Sequence, residues 1–326
     1  MSPTACHILA VALSAAARSA AALSLPVAAS AQPVPQVIPV PQVITVPGSA
    51  DFLAVDGASV WATNRGRVER WTLDGKLAEV ALAQPCGAMA VAAGSLWVAD
   101  CKARTLNRID LAGATIVATI ATGIANPIGE TNVVAGAGSI WVANSAGSGD
   151  ARGTIVRVDP ATNRVIATVA VDRDSWYLAF GLGALWAVSP TTRAVQRIDP
   201  ATNTVTGSAA LGNAPGFLVA GEGAVWVQEQ GDGTLARIDP TNVSVTGRVK
   251  VGANLKWGDI DAGGGKVWLR TTDDQVFATI DPASLAITAR VGATAGSGAL
   301  RYTDQGVWTT AHDQHTLSWW PIGTLK

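Results

Sequence analysis

Two histidines, three residues apart in His312-Asp313-Gln314-His315, are the chain's clearest acid–base candidates. A pair at that spacing suits Zn²⁺ ligation or proton transfer by His312, although no third ligand stands nearby in sequence. A second set follows tryptophans by three residues: Asn64, Asp100, Asn144 and Glu229. Four oxygen-bearing side chains around one axis would suit Ca²⁺ or Mg²⁺, which take hard oxygen ligands. A third set mixes aromatic faces with charges: Arg173, Asp174, Trp176, Tyr177, Lys256, Trp257, Asp259, Arg301 and Tyr302. That combination describes a surface for a small molecule or a protein. Nucleophile-elbow, phosphate-loop, HExxH and CxxC patterns are absent.

What positions these residues is a repeat. Trp61, Trp97, Trp141, Trp186, Trp226, Trp268 and Trp308 recur at spacings of 36, 44, 45, 40, 42 and 40, and all but Trp268 stand two places after a Gly or other small residue. A second phrase follows, as in Arg157-Val158-Asp159-Pro160, Arg197-Ile198-Asp199-Pro200 and Arg237-Ile238-Asp239-Pro240. Each unit therefore holds about four short alternating segments separated by turn residues, the pattern of a four-stranded antiparallel sheet. Such a sheet buries both faces only by stacking radially on its neighbours, so the fold class is all-β, a seven-bladed β-propeller. We label the strands of each blade A to D from the hub outward. The chain ends after strand C of blade 7, and Val43–Val46 has the strand D pattern, so the N-terminal strand is expected to complete that blade.

Placed on blades, most of the candidate residues fall on one face, at the D–A and B–C loops. Tyr177 and Tyr302 are both expected at D–A loops there. The aspartates of the Asp-Pro phrases fall on the opposite C–D turns, where Pro fixes φ and the carboxylate takes backbone N–H bonds, so they are structural. Cys86 and Cys101 centre on the Ala93-Gly94 turn and are expected to face each other across one hairpin as a disulfide.

The first 31 residues read as a secretory leader, with an apolar run over Ile8–Ala17 and a small-residue cleavage site at Ala29-Ser30-Ala31. Pro33–Ile44 is PVPQVI written twice, and residues 32–42 read as an extended, unpaired Pro-rich tether, leaving 43–326 for the propeller. The chain has 23 Lys+Arg against 24 Asp+Glu, which argues against nucleic acid, and no later segment has the apolar length of a membrane span. A periplasmic or secreted protein is the expectation, and an exported compartment permits the disulfide.

Trp141-Val142-Ala143-Asn144, followed by Ile155-Val156-Arg157-Val158-Asp159-Pro160-Ala161-Thr162-Asn163, resembles the YVTN-repeat propellers. The chain is equally similar to the virginiamycin B lyase-like propellers, whose blades read W-F-T-E and then I-G-R-I-D-P. The second resemblance implies an eliminating enzyme with Mg²⁺, histidines opening strands A in a P-H-G-I phrase, and Glu closing strand B. Glu229 matches that Glu; the histidine positions read Pro85-Cys86-Gly87, Pro127-Ile128-Gly129 and Lys256-Trp257-Gly258. The sequence therefore favours a ligand- or protein-binding scaffold, with a divalent-metal-dependent lyase or lactone hydrolase as the alternative.

Overall fold

Each Trp-centred unit folds into the strand set its periodicity predicts. In blade 5 strand A is Pro215–Gly221, B Ala224–Glu229, C Thr234–Asp239 and D Ser244–Lys250. The computed structural model describes residues 36–37, 40–125, 130–144 and 152–325. The leader, most of the tether and Pro127-Ile128-Gly129 lie outside the described residues. Six further sheets share the order A-B-C-D. Blade 7 comprises Leu300–Thr303, Gly306–Ala311 and Thr316–Pro321, and its strand D is Gln42–Thr45 from the N-terminus. Gln42 pairs with Trp319 and Thr45 with Thr316, so first and last strands close the ring in antiparallel register. Closure leaves no open sheet edge at the seam.

Burial falls outward along each blade. Strands B, such as Ala184–Ser189, are buried at every position apart from Lys266 of blade 6, whereas outer strands such as Thr204–Ala210 alternate exposed and half-buried residues. Strands A of successive blades contact one another around the whole ring, which places them at the hub. No helix among the described residues is long and apolar enough to cross a membrane.

The repeated phrases hold the blades together. The seven Trp are at most 2% exposed, and in five blades the indole Nε1 donates to a carbonyl five residues earlier, as Trp226 does to Gly221 at 3.1 Å. A strand C Arg lies over the indole, with Arg157 4.7 Å from the Trp141 ring. The same guanidinium reaches the next blade, donating to the Pro200 carbonyl at 2.6 Å and to Asn203 Oδ1 at 2.9 Å. Arg108 grips Pro160 and Asn163 identically. The Arg…Asp-Pro-Ala-Thr-Asn phrase is thus a clip between blades. Its Asp stays on its own turn: Asp159 accepts from the Ala161 N–H and the Thr162 hydroxyl, which hold its carboxyl below the usual range.

Two local expectations need correction. Gln36–Val37, assigned to an unpaired tether, pairs in parallel with Arg290–Val291 on the outer edge of blade 6, and strand D of blade 7 already begins at Gln42. An extended Pro-rich chain still offers the N–H and C=O groups of its non-proline residues, and a free outer edge takes them.

Cys86 and Cys101 do form the disulfide, with Cα atoms 6.0 Å apart, but they are diagonal rather than directly opposed. Pro85 pairs with Asp100, whereas Ala90 pairs with Trp97, so the ladder slips by two residues in between. Gly87 lies within the slip, and its φ of +74° together with the 2.1 Å at which a Cβ would meet the Thr131 carbonyl oxygen exclude any side chain there. A cross-link closing a loop of this length stabilises by about 3 kcal/mol.

Candidate functional site

The site is built from the segments that lead into strands A. Nine residues before the repeated Trp, the hub carries Phe52, Ala88, Asn132, Tyr177, Phe217, Asp259 and Ala299. Phe217 of blade 5 lies 5.8 Å from Phe52 of blade 1 and 4.7 Å from Tyr177 of blade 4, so three rings meet near the axis. They floor a funnel on the D–A/B–C loop face. Above them Asp51, Glu130, Trp257, Asp259, Ser297 and His312 line a cavity of about 80 Å³.

Charge in this funnel is dominated by carboxylates. Asp51, with 37% of its side chain open to the funnel, has its carboxyl pushed up to about 6. The crowding of protein around it is the main cause; His312 at 4.0 Å opposes the shift, while Glu130, Asp259 and Asp313 add to it. Burial likewise raises the Glu130 carboxyl, although the Tyr177 hydroxyl donates to it at 3.0 Å. His312 Nε2 lies 3.1 Å from the Ser297 hydroxyl and 3.0 Å from Asp313 Oδ1. Arg301 pairs with Asp259 at the funnel's edge, and Arg270, buried behind the D–A loop of blade 7, is committed to backbone carbonyls.

The raised Asp51 carboxyl has a consequence for stability. In the folded chain it keeps its proton to higher pH than in the unfolded chain, so stability falls as pH rises from about 4 to about 6. Asp51→Asn is expected to flatten that part of the profile and to raise Tm at pH 7.5 while leaving it unchanged at pH 4. An unaltered Tm–pH curve would place the titration elsewhere.

The aromatic and charged set from the sequence is only partly assembled here. Trp257, Asp259 and His312 line the funnel and Tyr177 contributes to its floor. Trp176 is 8% exposed and belongs to the wall rather than the surface. Arg173 and Asp174 pair with each other at 3.8 Å on the blade 4 loop, where Asp174 also takes the Thr191 hydroxyl. Lys256 is exposed beside Trp257. Arg301 lies deeper, bonded to Asp259 of the neighbouring blade.

Tyr302 is not at a D–A loop. It sits at the far end of strand A, stacked 5.1 Å from Trp268 and bonded to Asp304 on the A–B turn. Gly263 makes room for it, since a Cβ there would meet the ring at 2.5 Å. Tyr302 occupies the place of Phe180, six residues before the Trp, and packs blade 7 on blade 6. Counting from Trp308 rather than from the turn would have shown this.

Nor does the structure gather the residues three after each Trp. Asn64 Oδ1 accepts from Ser49 N–H at 2.7 Å, and Asp100 accepts from Ala83, Gln84 and Ala103. Asn144 donates to the Thr122 carbonyl, and Glu229 takes Gly212 N–H, the Thr234 hydroxyl and Arg248 of its own strand D. Each ties a D–A loop to its own blade, and Arg248 helps hold Glu229 ionised below the usual range, against the opposing effect of burial. Among the described residues no three His, Cys, Asp or Glu come together as a metal-holding group. The histidines also diverge: His315 bonds the Gly48 carbonyl beside the closing strand.

Asp51, Glu130 and Ser297 were missed. A signal for the first exists: ten residues before the Trp stands Gly in blades 2, 5, 6 and 7 (Gly87, Gly216, Gly258, Gly298), but Asp51 in blade 1. Glu130 and Ser297 occupy the adjacent, more variable place, where sequence alone gives no contrast.

No protein-family model matches this chain, and no curated protein is similar to it in sequence. Among solved structures, a streptogramin B lyase aligns with a TM-score of 0.70 at 17% identity, covering 86% of this chain and 96% of the lyase. In fold, this chain resembles the virginiamycin B lyase-like and YVTN-repeat propellers. The β-propeller domain of Cps50 (Swd1) from Myceliophteria thermophila aligns at TM-score 0.66 and 12% identity over 86% of this chain and 99% of that domain. Both likenesses are likenesses of fold.

Proposed function

We propose that this chain is an exported binding module that takes a small, ring-bearing ligand into the funnel of its D–A/B–C loop face. Trp257 carries the reading. It is 66% exposed, whereas every repeated Trp is at most 2% exposed. An indole held open beside Asp51, Glu130 and His312 offers a stacking face next to hydrogen-bonding groups, the composition of a ligand site. The Cys86–Cys101 disulfide supports an oxidising compartment, periplasmic or secreted. The test is a titration of purified chain with a library of aromatic amines and cyclic esters, followed by tryptophan fluorescence and calorimetry. Ligands weakened at least about tenfold, or 1.4 kcal/mol, by both Trp257→Ala and Asp51→Asn are expected. Binding indifferent to both substitutions would remove the funnel from consideration.

A second reading, acid–base catalysis, is favoured by the convergence of Asp51, Glu130, Ser297 and His312 in one cavity. A carboxyl near 6 facing an imidazole can exchange a proton close to neutrality. The lyase found among similar folds makes elimination, or hydrolysis of a lactone, the chemistry to assay. A divalent cation would need ligands other than Asn64, Asp100, Asn144 and Glu229, which are engaged within their own blades. Turnover of streptogramin B, with and without Mg²⁺, that disappears in Asp51→Asn and His312→Gln would establish this reading; turnover surviving both would refute it.

A further inference from the structure

On the face opposite the funnel, the seam between blade 7 and blade 1 holds a second cavity of about 540 Å³. Its wall is mostly apolar, with Trp308 and Trp319 from blade 7 and Val55 and Leu73 from blade 1, and the A–B turn of blade 7 adds Thr303 and Asp304. We propose that this seam cavity is a binding site for a small, uncharged aromatic molecule that carries a carbonyl group.

The repeat explains why the space exists. Opposite each repeated Trp, on strand C, stands Arg in blades 1 to 5, Thr279 in blade 6 and Trp319 in blade 7. In blades 1, 2 and 3 that Arg reaches the C–D turn of the next blade, as Arg70 does by donating to the Leu111 carbonyl at 2.9 Å. Blade 7 has no guanidinium to send across, and its Trp319 packs on Trp308 instead, with ring centroids 4.8 Å apart. The turn it faces is also shorter. Thr72 pairs with Gly75 in blade 1, whereas Asp110 pairs with Thr115 and Asp159 with Arg164 in blades 2 and 3. The seam therefore lacks both halves of the clip, and two indoles wall what is left.

Trp308 supplies a donor. In five blades the repeated indole donates to the last carbonyl of strand A. Thr303 is the counterpart in blade 7 and lines the cavity, yet Trp308 Nε1 finds no acceptor among the described residues. Trp308 is 2% exposed; the Nε1 of Trp61, which also lacks an acceptor, is sealed in the core, and that of Trp308 is not. A nearly buried N–H that can still be reached gains from an acceptor on a molecule filling the space beside it.

Charge narrows the class. Asp304, which takes the Tyr302 hydroxyl at 3.2 Å, is the one charged residue in the wall. An anion would meet that carboxylate with no cation to hold it. A cation would leave the indole N–H unpaired, and the Trp face that Arg covers in blades 1, 2, 3 and 5 is taken by Trp319 here. A carbonyl on a flat hydrocarbon body supplies the acceptor and fills an apolar volume of small-molecule size.

The test is calorimetry on the whole chain with three probes of one shape: 2-acetylnaphthalene, 2-naphthoate and 2-naphthylmethylammonium. The ketone is expected to bind at one site at least about tenfold more tightly than either ion. Trp319→Arg, which restores the residue of blades 1 to 5, should abolish that binding, and Trp257→Ala, in the funnel, should leave it intact. Should Trp319→Arg fail to fold, Ala58→Trp, at an exposed position on the cavity wall, should exclude the ketone equally. In NMR spectra with isotope-labelled indole nitrogens, the ketone should shift the Trp308 Nε1–H signal, assigned by its loss in Trp308→Phe, and leave that of Trp257 in place. Equal affinity for the three probes, no saturable binding, an unmoved Trp308 signal, or ketone binding that survives Trp319→Arg or Ala58→Trp would overturn the proposal. So would loss of binding in Trp257→Ala, which would assign the ketone to the funnel.

Discussion

Trp226→Ala is expected to lower the unfolding free energy by about 3–5 kcal/mol, read as a shift of the urea midpoint with little change in slope. Trp226 is fully buried in the largest apolar cluster, between the sheets of blades 4, 5 and 6. Truncation removes the ring that fills this wedge, the bond from Nε1 to Gly221, and the surface beneath Arg237, 6.0 Å away. The neighbouring sheets cannot close the gap, because each is held in the ring by blades on its other side. Trp257→Ala supplies the contrast: with its indole exposed, its loss should change stability by about 0.5 kcal/mol or less. A Trp226→Ala midpoint within error of the parent would mean that the repeated indoles are not what spaces the blades.

The second large effect belongs to Arg270→Met, at about 3–5 kcal/mol. Arg270 has no solvent exposure and donates to carbonyls of Thr271, Val276, Gly296 and Thr310, so one side chain joins blade 6 to blade 7. Burial pulls its guanidinium down to about 10, and the carboxylates of Asp259, Asp51 and Asp313 resist that shift. Methionine of similar length fills the space and leaves those carbonyls without donors, each a cost that water cannot repay in a dry wall. Lysine should not rescue it, since a single ammonium cannot span four acceptors in the plane of a fork. Chemical denaturation of Arg270→Met and Arg270→Lys checks both statements; parent-like stability in the lysine variant would show that charge alone is needed.

The two substitutions also mark what could be read from the chain. Trp226 announces itself, because a propeller repeats the same local problem seven times and repeats its solution in the sequence. Blade number, strand order, closure by the N-terminal strand and the structural role of the Asp-Pro turns all follow from that periodicity. So does the Cys86–Cys101 pair, apart from its diagonal register, which depends on a two-residue slip around Gly87 that no spacing reveals.

Arg270 belongs to the other category. Nothing in Val267-Trp268-Leu269-Arg270 tells that its guanidinium is buried against the next blade. The funnel is similar: Asp51 and His312 are separated by the whole propeller and meet because closure brings blade 7 beside blade 1. Residues alike in sequence were also sorted apart, with Trp257 exposed in the funnel and Trp176 buried in the wall. Tyr302 and Tyr177 went to opposite ends of strand A. The sequence by itself determined the ring, since a sheet repeated seven times has one way to bury its faces. Only the tertiary structure decided the site, because proximity across the axis is set by ring closure rather than by any one blade.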